Sequence, residues 1–377
     1  MLDLDERLQR ALPTIAEGAD AADADSTFPA ESVASLARNG LLGLTLSTDV
    51  GGLGGTPLDL VEAVSAVAAA CGSTSMIYLM HLAAAMVTAA APPADGADEL
   101  LAGFAAGSTL GTLAFSEKGS RSHFWAPVSR AESTGAATVR IGADKSWVTS
   151  ASHADVYIVS SQAPDAEGAT ESDLYAVDRN APGVSITGRF EGLGLRGNDS
   201  APVRLDVDVP VSARLGDAKA GFGLMMQVVL PWFSLGNSAV SLGLAQAALD
   251  RAVSHAAATR FEHLDSKLAE LPTIRAYLAK SWTDLAAHRA LLRETAARVA
   301  SPDEGTVLAV LVTKAGCNEA ALRITETALR VTGGAGFSKE VGIDRPYRDA
   351  RAGFVMAPTS DALFDFAGRA ICGMDLF

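Results

Sequence analysis

The sequence has few cysteines, and they are poorly placed for a disulfide framework or a metal site. Only Cys71, Cys317 and Cys372 occur among 377 residues, an odd number with wide spacing. A Cys-x-x-Cys motif is absent, which argues against a structural zinc site and favours a reducing compartment. The start of the chain, "MLDLDERLQRAL", also lacks the basic-then-apolar layout of a signal peptide. We therefore expect no bound metal and a cytoplasmic location.

The chain also has little positive charge. It contains 30 Lys and Arg against 44 Asp and Glu, for a formal net charge of −14, and no basic run appears anywhere. Binding to nucleic acid depends on clustered Lys and Arg that neutralise phosphates. The composition argues against a nucleic-acid partner.

One long stretch lacks charge. From residue 63 to residue 94 there is no charge except a possible one on His81, and this length could span a bilayer. The stretch is rich in Ala, Gly and Ser, however, and "CGSTS" interrupts it. We predict two buried helices here; a transmembrane span is the alternative, and we expect no membrane partner.

Three regions that differ in composition and hydrophobic periodicity follow one another. Residues 1–107 are rich in Ala and Leu at helical spacing, residues 108–215 contain short β-favouring runs separated by turn signals, and residues 216–377 return to long helical patterns. This order predicts an α+β fold with an antiparallel β domain between an N-terminal helical domain and a C-terminal helical domain.

Two polar segments of the β region suit a planar ligand. In "LAFSEKGSRSHFWAP", Ser116, Gly119, Ser120 and Ser122 can offer N–H and hydroxyl groups to a phosphate or a polar ring edge, although such a loop is often only a turn. In "DKSWVTSASHAD", Trp147 and Thr149 lie on one face of a predicted strand because side chains alternate with period two. They could hold a stacked heterocycle or belong to the core.

These segments resemble the paired signature of the acyl-CoA dehydrogenase family. The resemblance extends to "GLGLRGNDSAPVRLDVDVP", "GFGLMMQVV" and "RVTGGAGFSKEVGIDRPYRDAR", in the family's order and from about Phe28 to the end of the chain. It implies a fold with an N-terminal helical domain, a middle antiparallel β domain and a C-terminal four-helix bundle. It also implies an FAD-dependent oxidoreductase that forms a homodimer or homotetramer.

The resemblance further implies which residues hold FAD. They are Phe115, Ser116, Ser122, Trp147, Thr149, Thr359, Ser360 and Asp361, with Arg260, Arg330, Gly333, Gly334 and Gly336 expected to reach the FAD of a neighbouring subunit. The segment that begins at Thr359 also has a physical rationale of its own, because the free N–H groups of a helix start favour phosphate.

The sequence departs from the family where the catalytic base is expected. The usual Glu position corresponds to Ala357, and the alternative position used by some members corresponds to Phe233, flanked by Trp232 and Ser234. Arg260 and Phe261 also stand in altered spacing relative to the family's Arg-x-x-Phe-Gly motif.

Other side chains could supply a base. The candidates are His81, His123 and Tyr78, and histidine has a suitable pKa for proton transfer. The structural alternative is that His81 and Tyr78 are satisfied core groups and that His123 is a surface loop residue. Glu117 matches a common family Glu that is not the base.

Three functions remain open at this stage. The first is oxidation of an acyl thioester, on CoA or on a carrier protein, by hydride transfer to flavin, with an electron-transfer flavoprotein or oxygen as acceptor. The second is oxygen-dependent hydroxylation or oxidation of another substrate by a flavoprotein of the same fold. The third is a flavin- or CoA-binding protein without catalysis, and all three rest partly on analogy of fold.

Overall fold

The computed structural model describes residues 3–120 and 123–375, and it begins with a helical domain. The helices of this domain are α1 (Leu4–Glu17), α2 (Ala19–Ala24), α3 (Ala30–Arg38), α4 (Pro57–Ala70), α5 (Gly72–Ala90) and α6 (Ala97–Ala106). Helix α4 starts with a capping box, in which Thr56 and Asp59 satisfy each other's backbone N–H groups, and with proline in its first turn.

The long uncharged stretch forms α4 and α5, which break at Cys71. Two helical segments, Gly72–Ala90 and Gly221–Ala258, are long and apolar enough to cross a membrane, but 78% of each apolar window is buried within the protein. They are core helices, as predicted for the first of them.

The middle region forms two sheets. One has the order β1-β4-β5 and the other the order β2-β3-β7-β6. Their strands are β1 (Gly111–Ala114), β2 (Ala131–Ser133), β3 (Thr138–Val148), β4 (Val156–Gln162), β5 (Ser172–Asp178), β6 (Val184–Ile186) and β7 (Ala201–Pro210).

One strand pair differs from the predicted antiparallel arrangement. Strands β1 and β4 pair in parallel, with Gly111 opposite Val156, whereas the other pairs in these two sheets are antiparallel. A parallel pair needs a long connection, and here the chain between the two strands builds β2 and β3 of the other sheet. Turn signals alone do not reveal such a crossover.

The C-terminal region is a helical bundle. Its elements are α7 (Gly221–Leu224), α8 (Leu230–Ala258), a small hairpin of β8 (Arg260–Phe261) and β9 (Ser266–Lys267), α9 (Pro272–Ala300), α10 (Thr306–Phe337), α11 (Asp344–Asp349) and α12 (Ser360–Ile371). A π-helical turn, Met225–Val229, joins α7 to α8. Helix α10 bends at Gly333, which adopts φ 55° and ψ −137°.

Helix α8 is the centre of the bundle. It packs against α4, α5, α9 and α10, and most of its residues are buried. Gly243 allows the backbones of α8 and α4 to approach closely, because a Cβ at this position would lie 2.3 Å from the carbonyl oxygen of Ser65 on α4. This packing brings the bundle against the two sheets, and a cleft lies between them.

Candidate active site

A cleft of about 1360 Å³ lies between the middle sheets and the helical bundle. Its walls come from the loop after β1, the end of β3, the segment before β7, the start of α8 and the loop before α12. Single-ligand pockets usually measure about 300–1,000 Å³. The volume therefore suits a cofactor together with a substrate.

The loop after β1 is fixed by a buried ion pair. Lys145 Nζ lies 2.5 Å from Glu117 Oε1, and the two side chains are 0% and 4% exposed. Glu117 also accepts hydrogen bonds from the N–H groups of Val128 and Ser129, at 2.7 and 2.8 Å. Burial alone would raise the pKa of Glu117, but Lys145 and Ser129 hold it below its usual range. Glu117 is thus an ionised structural group and has no free capacity to act as a base.

The end of strand β3 and the residue that follows it present an aromatic plane and a hydroxyl to the cleft. Trp147 and Thr149 both line it, as the period-two alternation predicts. The Trp147 side chain stacks on Phe190, with ring centroids 3.7 Å apart, yet remains 61% exposed. A large exposed indole in a concave site indicates a surface that a planar ligand can cover.

The start of α12 adds polar groups to the same cleft. Thr359 caps the helix by accepting a hydrogen bond from the N–H of Ala362 and also lines the cleft. Beside it, Ser360 Oγ is buried and has no partner among the described residues. An orphaned hydroxyl at a helix start fits a phosphate- or amide-bearing group such as a flavin nucleotide.

The structure brings five of the predicted cofactor residues together. Phe115, Ser116, Trp147, Thr149 and Thr359 all line the cleft. Ser360 lies beside this set, whereas Asp361 is exposed in the first turn of α12 and is not among the lining residues. Ser122 lies outside the described residues.

The predicted contributors to a neighbouring subunit lie elsewhere on this chain. Arg260 forms an exposed ion pair with Asp265 at 2.7 Å, and Arg330 lies over the Tyr277 ring. The bend at Gly333 and Gly334 has open space around both positions, while Gly336 packs against Thr332 within α10. Their role toward a second copy of the chain stays a prediction.

The structure places the three candidate bases away from the cleft lining. Tyr78 donates a hydrogen bond to the carbonyl of Leu41 at 2.9 Å, and His81 bridges the carbonyl of Leu42 and the N–H of Gly111. Both side chains are fully buried, and burial lowers the pKa of His81 to about 4. His123 is exposed on the connection between β1 and β2. These contacts match the structural alternative for Tyr78 and His81.

The wall where a carboxylate was expected is apolar. Ala357 and Phe233 both line the cleft. Behind them lies Lys314, fully buried on α10, whose Nζ donates hydrogen bonds to the carbonyl oxygens of Met356 at 2.9 Å and Pro358 at 2.7 Å. Burial lowers the pKa of Lys314 to about 7. Sequence reasoning missed this residue, and its signal was a single lysine within the apolar run "VLAVLVTKAG".

A network of buried amides and hydroxyls holds the same loop from the bundle side. Asn318 Nδ2 donates to the carbonyl of Gly353 at 3.0 Å and to Asn237 Oδ1 at 3.0 Å. Ser241 donates to Asn318 Oδ1 at 2.6 Å. Together with Lys314, these groups fix the loop that precedes α12.

A second feature missed from the sequence is an oriented histidine at the cleft. His153 Nδ1 lies 3.1 Å from Asp199 Oδ2, and the imidazole stacks on Phe28 with centroids 3.8 Å apart. All three residues line the cleft. The two segments are far apart in sequence, so only the fold brings them together.

Positive charge also concentrates here, although the chain as a whole is acidic. The lining includes five basic side chains and two acidic ones, Glu117 and Asp199. The basic ones are Lys118, Arg189, Arg196, Arg351 and Arg348, of which Arg348 is paired with Asp23 and Asp344. Arg189 and Arg196 hydrogen-bond to uncharged oxygens of Ser26 and Ala24. Such a lining favours anionic ligands.

Comparison with known proteins identifies this arrangement. Three family models match in sequence order: "Acyl-CoA dehydrogenase, N-terminal domain" at residues 8–108, "middle domain" at residues 112–207, and "C-terminal domain" at residues 219–371. The chain belongs to the acyl-CoA dehydrogenase family. The family resemblance seen in the sequence is thereby confirmed, and so is the predicted three-part fold.

Relatives in this family align over most of the chain. A probable acyl-CoA dehydrogenase, YngJ, of Bacillus subtilis is 29% identical over 89% of this chain and 88% of its own length. A 3-sulfinopropanoyl-CoA desulfinase of Paraburkholderia xenovorans is 25% identical over 97% and 94%.

Solved structures show the same fold. Butyryl-CoA dehydrogenase from Megasphaera elsdenii superposes with a TM-score of 0.92 at 21% identity, covering 99% of both chains. KijD3 in complex with FMN and a dTDP-linked sugar superposes with a TM-score of 0.85 at 23% identity, covering 99% of this chain and 93% of that one.

As a member of the acyl-CoA dehydrogenase family, the protein is an FAD-dependent oxidoreductase. The stacked-ring surface at Trp147, the hydroxyls of Ser116 and Thr149, and the unpaired Ser360 hydroxyl fit that cofactor. No cluster of three or more potential metal ligands occurs within residues 3–120 and 123–375.

Proposed function

We propose that this protein oxidises an acyl thioester, carried on CoA or on a carrier protein, in the cleft between the sheets and the bundle. The observation that carries this proposal is that Ser116, Trp147, Thr149 and Thr359, from three separate segments, line one cleft together with the apolar wall at Ala357. The basic lining supports it further, because both the cofactor and a CoA or carrier-bound substrate contain phosphate groups.

The residues of this chain divide the task between binding and exclusion of water. Trp147 offers a face for a planar ring, while Ser116, Thr149 and Thr359 supply hydroxyls at its edge. Bound FAD supplies a two-electron acceptor for a hydride. Phe115, Phe124 and Phe233 supply apolar surface to the cleft, where they exclude water from the substrate.

Proton removal needs a different arrangement from the family's usual one. A carboxylate that abstracts the α-proton is lacking at both Ala357 and Phe233, and Glu117 is committed to Lys145. Among the described lining residues, His153 is a histidine held by a carboxylate, with its Nδ1 3.1 Å from Asp199 Oδ2. We infer that the substrate is one that does not rely on a glutamate at position 357.

A second candidate function is oxidation or hydroxylation of a different substrate with oxygen as acceptor. The apolar wall formed by Ala357 and Phe233 favours it, because this chemistry has no need for an α-proton base. A same-fold structure at 23% identity holds FMN and a nucleotide-linked sugar, so the fold accommodates ligands other than acyl-CoA.

The test is anaerobic reduction of the FAD-loaded protein by a panel of acyl-CoAs, followed by flavin absorbance. Bleaching of the flavin by a saturated acyl-CoA supports the first function. Binding without bleaching, combined with fast reoxidation of chemically reduced flavin by oxygen, supports the second. A protein that neither bleaches nor reacts with oxygen is a flavin- or CoA-binding protein without catalysis, which contradicts both.

The setting of the reaction is part of the proposal. The open bend at Gly333 and Gly334 and the exposed Phe337 support a homodimer or homotetramer in which α10 meets a neighbour's cofactor.

A cytoplasmic location accords with the three free cysteines. An electron-transfer flavoprotein is the acceptor expected for the first function, and oxygen for the second.

A further inference from the structure

A buried cation lies behind the part of the cleft wall where the family places a carboxylate. Lys314 is fully buried, and its two hydrogen bonds go to the carbonyls of Met356 and Pro358, the residues on either side of Ala357. Its Nζ also lies 5.9 Å from the centre of the Phe233 ring. The same ammonium group therefore adjoins both positions from which a base could act.

This cation has no anionic partner among the residues that the structure describes. The two carbonyl oxygens provide hydrogen-bond acceptors but no formal negative charge. The only cause of its lowered pKa is burial, with no contribution from a nearby carboxylate. Lys145, the other fully buried lysine, differs because it pairs directly with Glu117. A buried charge without a counter-ion is costly, so its position next to the cleft calls for an explanation.

The residues between Lys314 and the cleft screen its charge only weakly. Ala357 and Phe233 both line the cleft, and both are apolar. Coulomb attraction across an apolar wall is several-fold stronger than across the same distance of water. With no carboxylate at either position, the wall is electropositive toward the substrate while Lys314 is protonated, that is, below its pKa of about 7, whereas a glutamate there would make it neutral or negative.

We propose that the cleft beside Ala357 binds an anionic group carried by the substrate, with Lys314 as the positioning cation behind the wall. This inference rests on the proposed function and narrows it to acyl thioesters that bear a carboxylate or another oxyacid group on the acyl chain. The anionic group of such a substrate supplies a negative charge near position 357, where this chain has no glutamate. Lys314 acts through the loop and does not touch the substrate.

Binding of matched acyl-CoA pairs to the FAD-loaded protein tests this substrate class. Each pair has equal chain length with and without a terminal carboxylate: succinyl-CoA against butyryl-CoA, and glutaryl-CoA against valeryl-CoA. Dissociation constants come from anaerobic calorimetry at pH 6, which does not depend on turnover. We expect the carboxylated member to bind about 10- to 100-fold more tightly, the range of a partly screened charge pair.

Two kinds of variant separate electrostatics from loss of structure. Lys314→Met removes the charge and keeps most of the stem, so the preference for carboxylated thioesters should vanish. Thr313→Val, at the residue of α10 next to Lys314, is the matched bundle control, because it breaks the buried hydroxyl contact with Thr295 on α9. The substrate preference of this variant should equal that of the wild type. Ala357→Glu keeps Lys314 and supplies a fixed anion, so it should reverse the preference, whereas Ala357→Gln should not.

The outcomes distinguish this inference from the function on which it rests. Equal or weaker binding of the carboxylated members by the wild type overturns the inference while leaving acyl-thioester binding intact. Survival of the preference in a folded Lys314→Met variant also overturns it. If no member of either pair binds, the proposed function fails, and the inference fails with it.

Discussion

Lys145 Nζ and Glu117 Oε1 lie 2.5 Å apart in the interior of the middle domain and join β3 to the loop after β1. Lys145 also donates to the carbonyl of Ser160 on β4 at 2.6 Å. One ammonium group thus connects the strand that carries Trp147, the loop that carries Ser116 and the sheet behind them. The flavin side of the cleft depends on this pair for its shape.

Removing one member of this pair should be strongly destabilising. Lys145→Met leaves the Glu117 carboxylate buried without its counter-ion, and such a change typically costs about 3–5 kcal/mol of unfolding free energy. Urea denaturation measures the loss. Arg204→Met is the matched control on the neighbouring strand, since the Arg204–Asp144 pair is more than 60% exposed on both sides and should contribute far less to stability. Equal losses in the two variants would contradict a structural role for the buried pair.

Restoring a carboxylate at position 357 should create or raise acyl-CoA dehydrogenation. Ala357 lines the cleft, so Ala357→Glu places a carboxylate at the wall where the family's base is expected. A positioned general base typically contributes about 10²–10⁴-fold to rate. The measurement is the rate of anaerobic flavin bleaching by a saturated, uncharged acyl-CoA.

Ala357→Gln is the control for this gain, because it has nearly the same size without the ionisable group. A rise in rate shared by both variants would show that packing, not proton abstraction, is responsible. No rise in the glutamate variant, despite tight acyl-CoA binding, would place the reacting carbon elsewhere in the cleft.

The sequence predicted the parts of this protein that depend on local pattern. The period-two alternation that puts Trp147 and Thr149 on one face follows from a short-range rule and could be predicted directly. Lys314 could not, because its partners lie 42 and 44 residues away in a loop that has no regular pattern. The same holds for His153 and Asp199, which are 46 residues apart. The parallel pairing of β1 with β4 likewise depends on a crossover rather than on local propensity.

Trp147 should contribute to retention of FAD through its exposed face. Trp147→Ala removes the stacking surface and should weaken FAD binding by about tenfold, since an aromatic contact contributes about 0.5–1.5 kcal/mol beyond its buried area. Fluorescence titration of the apoprotein with FAD gives the dissociation constant, and Trp147→Phe should retain most of the affinity. Trp282 is an equally exposed tryptophan, at 65%, outside the described cleft lining. Trp282→Ala should leave the FAD affinity of the isolated subunit unchanged.

His81 should make the stability of the protein fall on mild acidification. Burial lowers the pKa of His81 to about 4, whereas an unfolded chain has a histidine pKa near 6.5. Between these values the unfolded state binds a proton that the folded state does not, so the free energy of unfolding decreases as the pH falls through this window. From pH 6.5 to pH 5 the expected loss from this one residue is about 2 kcal/mol.

Urea denaturation at pH 7, 6 and 5 measures this dependence. Burial raises the pKa of Asp349 to about 6, so this carboxyl group contributes in the opposite direction in the same window, and the difference between the wild type and a His81 variant isolates the histidine. His81→Gln should be less stable at pH 7, because Gln cannot bridge the Leu42 carbonyl and the Gly111 N–H in the same geometry, but its stability should change less with pH. His263 is exposed on the hairpin between α8 and α9, so His263→Gln should keep the wild-type dependence. A His81→Gln variant with the full wild-type pH dependence would show that another group is responsible, and it would also reopen the question of whether His81 is protonated in the folded protein.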